Sequence, residues 1–94
     1  MFGLGGLGFN ALQIVRHIGA RVIVCDIRQS RLDAARELGV PEEDIIPLGK
    51  SPVEFVREKG LQIDKTLDFA GTHQTWEWAQ EISKLICYDR LTLG

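Results

Sequence analysis

The stretch Gly3-Leu4-Gly5-Gly6-Leu7-Gly8 constrains this chain more than any other. Its glycines occupy the first, third and sixth places of G-x-G-x-x-G, and apolar residues at helical spacing follow at Ala11, Ile14, Val15 and Ile18. The pattern predicts a loop that turns directly into a helix. Gly3 can take the tight turn at a strand end, Gly5 lets a diphosphate approach the backbone, and Gly8 lets the helix pack against a sheet. The first N–H groups of such a helix lack intrahelical partners and lie at its positive end, so an anion is stabilised there without a basic side chain.

Glycine-rich turns that bind nothing are common, and this chain has 10 glycines in 94 residues, so context decides how the loop is read. After a Gly19-Ala20 turn comes Arg21-Val22-Ile23-Val24-Cys25-Asp26, an apolar run ending on a carboxylate. A dinucleotide-binding unit places the acid that holds the adenosine ribose hydroxyls at about this distance. The bland alternative for Asp26 is a polar residue closing a strand-end turn.

With 45% hydrophobic and 26% charged residues, the chain has the composition of a folded domain, and its length allows one at most. A formal net charge of −2 offers nucleic acid or anionic lipid no electrostatic attraction. No apolar run approaches the ~20 residues of a membrane helix, and a cytoplasmic location is the default expectation. Cys25 and Cys87 stand in no C-x-x-C pair and near no histidine at ligand spacing, so no metal ligand is assigned and both read as small apolar residues.

Further along, Ser30 with Asp33 suggests a capped helix whose inner face carries Leu32, Ala35 and Leu38 and which Gly39 closes. Asp44-Ile45-Ile46-Pro47 allows a short edge strand, and Ser51-Pro52-Val53-Glu54 opens a third helix ending at Gly60. Residues 63–71 read as a strand finishing in a small-residue turn. Thr72 then caps a fourth helix with Trp76, Ala79, Ile82 and Ile86 on one face, and residues 90–94 read as a last strand. This alternation predicts an α/β fold, a Rossmann-like doubly wound parallel sheet with helices on both faces. Solvated roles suit His17. His73 sits at a strand end where ligands bind in this architecture, while Asp68 suits backbone satisfaction and Trp76 and Trp78 suit packing.

Gly3 to Gly8, Ala11, Gln13, residues 19–23, Asp26, Arg31-Leu32, Ala35 and Glu37-Leu38-Gly39, with Asp64, Asp68 and Gly71 beyond, resemble the nucleotide-binding domain of medium-chain, zinc-type alcohol and polyol dehydrogenases. The resemblance implies that the loop holds the diphosphate of NAD, with the backbone around Gly6 and Leu7 nearest the phosphates. It also implies that Asp26 accepts hydrogen bonds from the ribose and that Arg31 lies beside it, although a solvated charge explains Arg31 equally well. Asp26 repels a 2′-phosphate, which favours NAD over NADP, while Arg28 and Arg31 could receive that phosphate if the loop rearranged. The family's reaction is hydride transfer between an alcohol and nicotinamide, assisted by zinc held in a separate domain. Residues 1–94 correspond only to part of the dinucleotide domain, so no catalytic residue is assigned and the chain alone is not expected to turn over.

Only Met1 and Phe2 stand where such a domain has a first strand of about five apolar residues, and the sixth strand is missing too. The expectation is a truncated domain split into two half-sheets with unpaired inner edges. Asp89-Arg90 stands where the family usually has a glycine pair before its fifth strand. Two other functions remain open. One is a non-catalytic truncated paralogue or assembly module that pairs with a full-length homologue, and the other is a methyltransferase-type adenosine site, which the Gly5-Gly6 doublet and Arg31-Leu32 disfavour.

Overall fold

The computed structural model describes residues 1–83 and 89–92. Four helices alternate with extended segments: α1 (Gly6–His17), α2 (Gln29–Leu38), a short 3₁₀ turn (Glu42–Asp44), α3 (Pro52–Lys59), β1 (Lys65–Asp68), α4 (His73–Ser83) and β2 (Asp89–Thr92). The expected positions of Ile86, Cys87, Leu93 and Gly94 lie outside the described residues.

β1 and β2 pair in parallel, with Lys65 opposite Asp89 and Asp68 opposite Thr92. Three isolated parallel bridges extend the arrangement: Phe2 pairs with both Asp68 and Cys25, and Val24 pairs with Ile45. Hydrogen-bonded neighbours therefore run from Ile45 through Val24-Cys25 and Phe2 to β1 and β2. The run at residues 21–26 is extended but bridged only at Val24 and Cys25, shorter than its apolar sequence suggests.

This corrects the expectation of two separated half-sheets. Gly3 N–H donates to the Cys25 carbonyl at 3.0 Å and Cys25 N–H to the Met1 carbonyl at 3.0 Å. On the other side Phe2 N–H donates to Leu67 at 2.8 Å and Phe69 N–H donates back to Phe2 at 2.7 Å. Three residues thus stitch the two halves together at one end.

Apolar side chains collect in two clusters. Leu4, Leu12, Val24, Leu32, Ala35, Val40 and Ile45 form the first, with contributions from α1 and α2. Phe2, Val53, Val56, Ala79 and Ile82 form the second, with contributions from α3 and α4. Successive strand residues point to opposite faces, so Met1 and Val24 join the first cluster while Phe2 and Cys25 join the second.

The helices follow the sequence with several shifts. On α1 the buried residues are Gly8 and Leu12, whereas Ile14 and Ile18 are 61% and 76% exposed, so the apolar spacing predicted the helix but not its inner face. α2 begins two residues early, with Arg28 at its N-cap and no side-chain cap, which corrects the reading of Ser30 as the cap. Ser51 stands at the N-cap of α3 with Pro52 behind it, although its hydroxyl makes no capping bond. Gly39 and Gly60 end their helices in the left-handed conformation. The Thr72 hydroxyl accepts the Thr75 N–H at 3.1 Å and does cap α4. Trp76 turns to solvent while Trp78 packs on Phe2, their ring centres 5.9 Å apart.

Candidate functional site

The glycine loop folds back on itself between the Phe2 bridge and α1. Gly3 has φ +88°, and a Cβ there would lie 2.8 Å from the Ala70 nitrogen, so the turn needs both the left-handed conformation and the absence of a side chain. A Cβ on Gly8 would collide with the Gly3 carbonyl oxygen. The first turn of α1 is therefore drawn down onto the loop that precedes it.

Gly5 is the N-cap of α1, and Phe9 N–H makes the first intrahelical bond, to the Gly5 carbonyl at 2.7 Å. The N–H groups of Gly6, Leu7 and Gly8 thus precede the helical ladder. No side chain caps them and no acidic residue occupies the first turn. Gly6 and Leu7 are exposed, and a Cβ on Gly6 would meet nothing within 4 Å. Open donors at a helix's positive end suit an anion.

Asp26 is brought to this loop by the extended segment before it. Its side chain is 3% exposed, and Oδ2 accepts the Leu4 N–H at 2.7 Å. Oδ1 accepts the Arg28 N–H at 2.8 Å, and the Arg28 guanidinium reaches both oxygens at 3.1 Å. Burial alone raises this carboxyl, but the Arg28 guanidinium and the two backbone donors outweigh it and hold Asp26 below the ordinary carboxylate range. A carboxylate offers about four lone-pair sites, and here four donors take them. Two of those donors are fixed backbone; the other two belong to Arg28, whose side chain is 54% exposed.

Arg31 completes the group. Its Nε donates to the Leu4 carbonyl at 2.7 Å, and its guanidinium carbon lies 5.1 Å from the centre of the Phe9 ring. Leu4 is therefore tied through both backbone groups to residues more than 20 positions away. Sequence reading singled out Gly3, Gly5, Gly6, Leu7, Gly8, Asp26 and Arg31, and the fold gathers the loop, Asp26 and Arg31 at one place. It overlooked Leu4 as the hub and Arg28 as the partner that covers Asp26. The i, i+2 spacing of Asp26 and Arg28 was the available signal.

Other titratable residues serve the fold. Buried Asp68 accepts N–H groups of Ala70 at 3.0 Å and Gly71 at 2.8 Å, and the Thr75 hydroxyl at 2.8 Å, which fixes the turn beneath Gly3. His17 is exposed, and exposed His73 lies 2.9 Å from Glu77 on its own helix. Burial pushes the Cys25 thiol up to about 11, as for an inert core cysteine. Among the described residues no group of three or more His, Cys, Asp or Glu could hold a metal ion, so these residues do not fit a zinc site. No described helix is long and apolar enough to cross a membrane.

Comparison with known proteins places the chain in a family. Residues 6–85 match the family model described as zinc-binding dehydrogenase. L-threonine 3-dehydrogenase of Legionella pneumophila (strain Corby) is 51% identical over 39 residues, covering 40% of this chain and 12% of that protein. L-threonine 3-dehydrogenase of Idiomarina loihiensis is 46% identical over 39 residues, covering 40% of this chain and 11% of that protein. The matched stretch is thus a small part of these relatives' length. No solved structure matches. Since the family model spans far more than half of its residues, the chain belongs to the zinc-binding dehydrogenase family.

Proposed function

We propose that this chain is the NAD(H)-binding portion of a dehydrogenase that oxidises an alcohol or polyol by hydride transfer. The observation that carries the reading is the coincidence of three uncapped N–H groups at the start of α1 with a buried carboxylate hydrogen-bonded to the same loop. In this reading the N–H groups of Gly6 and Leu7 take the diphosphate. Gly5 leaves room for it, and Gly3 and Gly8 hold the turn. Asp26 takes the ribose hydroxyls, which replace the two Arg28 donors while the Leu4 and Arg28 backbone donors stay. Arg31 braces the loop through the Leu4 carbonyl.

A 2′-phosphate would bring a second negative charge to Asp26, so NAD is preferred over NADP. The neighbour order from Ile45 to β2, with clusters on both faces, supports a doubly wound parallel sheet. The curated relatives are named for L-threonine, a secondary alcohol, which is compatible with an alcohol substrate. The bound dinucleotide supplies hydride acceptance; these residues bind and orient it.

Calorimetric titration of the 94-residue chain with NAD and NADP tests the proposal. Saturable NAD binding, weakened by Asp26→Ser with relaxed discrimination against NADP, is expected. Affinities unchanged by Asp26→Ser would overturn the ribose assignment, and no heat with either nucleotide would overturn the cofactor reading.

A further inference from the structure

Arg28 holds Asp26 with only one edge of its guanidinium. Nε donates to Oδ1 and Nη2 to Oδ2, both at 3.1 Å, a side-on pair that uses two of the five guanidinium N–H groups. The other three belong to Nη1 and to the second hydrogen of Nη2, and they form the end of the same planar group. They donate to no acceptor among the described residues, and the side chain is 54% exposed. The root of this side chain is fixed: the Arg28 N–H donates to Asp26 Oδ1 at 2.8 Å, and its backbone is the extended N-cap of α2. Its tip has an edge to spare.

That tip stands between the two halves of the candidate site. A Cβ on Gly5 would lie 3.6 Å from Arg28 Nη2, so the guanidinium spans the gap from the acid to the glycine loop. Nearby, Arg31 is held through Nε by the Leu4 carbonyl and has no carboxylate partner among the described residues. No acidic residue occupies the first turn of α1. Two guanidiniums therefore face one carboxylate, and the group neutralises its own acid with cationic charge left over. A pair of ribose hydroxyls gives that surplus nothing to act on, whereas an additional phosphate on the ribose does.

We propose that Arg28 sets the choice between a 2′-hydroxyl and a 2′-phosphate on the adenosine ribose, through two alternative uses of its guanidinium, and that the site thereby admits NADP as a second cofactor. For NAD, the ribose hydroxyls need the Asp26 oxygens and displace the side-on edge. For NADP, the side-on edge stays on Asp26 and cancels its charge, while the end of the guanidinium receives the 2′-phosphate. The loop between Asp26 and α2 need not rearrange, because the two anions use different edges of one planar group. A lysine has a single point charge and no second edge. NAD keeps its preference because it reaches the Asp26 oxygens directly. The assignment rests on the dinucleotide reading of the loop and adds the residue that sets its selectivity.

Calorimetric titration of the 94-residue chain and of its Arg28→Ala and Arg28→Lys variants with NAD and NADP tests this. The wild type should bind both, NAD the more tightly. Arg28→Ala should tighten NAD by a few fold and weaken NADP by about 10–100-fold, the contribution of hydrogen bonds to a charged group. Arg28→Lys, which keeps the charge without the second edge, should also lose most of the NADP affinity. A wild-type measurement needs no variant: solvent exchange of the Arg28 Nε–H, followed by NMR, should be slow in the free chain and with NADP and fast with NAD. Several results would overturn the proposal while leaving the cofactor reading intact: no NADP binding by the wild type at millimolar concentration, both affinities moving in the same direction in Arg28→Ala, full NADP affinity in Arg28→Lys, or slow Nε–H exchange in the NAD complex. No NAD binding by the wild type would overturn both.

Discussion

The Asp26 carboxylate accepts the Leu4 N–H at 2.7 Å, which couples the end of one extended segment to the loop that opens α1. This contact makes the same carboxylate a structural brace and the candidate ribose acceptor. Asp26→Asn replaces one acceptor oxygen by a donor that faces either Leu4 or Arg28, at a cost of about 1–3 kcal/mol in urea denaturation.

The pH profile follows from the lowered Asp26 carboxyl. Between its ordinary value and the lower folded one, the unfolded chain binds a proton that the folded chain does not. Stability is therefore complete above the ordinary carboxylate range and declines as pH falls through the folded value. Acid titration followed by circular dichroism should show this slope in the wild type and lose its Asp26 component in Asp26→Asn.

The glycines of the loop separate folding from binding. Gly8→Ala drives a methyl group into the Gly3 carbonyl and should cost at least about 2 kcal/mol. Gly6→Ala meets nothing within 4 Å, so the fold should tolerate it while the methyl group intrudes where the diphosphate is proposed to lie. Thermal melts and NAD titration of both variants should show loss of stability in the first and loss of affinity alone in the second.

Arg28 competes with the proposed ligand for Asp26. The Arg28 side chain is half exposed but the Asp26 carboxylate it reaches is buried, so Arg28→Ala should cost about 1–3 kcal/mol of stability and, by freeing two acceptor sites, tighten NAD binding by a few fold. Weaker binding in this variant would mean that the guanidinium contacts the cofactor itself.

Thr66→Val removes the buried hydroxyl that has no partner and keeps its shape. The substitution should raise the denaturation midpoint by the equivalent of about 1 kcal/mol. A drop of that size would show that the hydroxyl has a partner in solution.

Local chemistry was legible in the sequence because its signals act over a few residues. The glycine spacing announced the loop and α1, Pro52 and Gly60 bounded α3, Thr72 capped α4, and the apolar run before Asp26 marked an extended segment. The family followed from the same stretch. Tertiary structure decided the rest. Ile14 and Ile18 satisfy helical spacing but face solvent, because Gly8 must sit on Gly3 and so fixes the rotation of α1. Leu4 binds both Asp26 and Arg31 through contacts spanning 22 and 27 positions, which no local pattern encodes. Met1 to Gly3 joined halves that composition left apart, since a backbone edge pairs with whatever strand lies beside it, regardless of side chain.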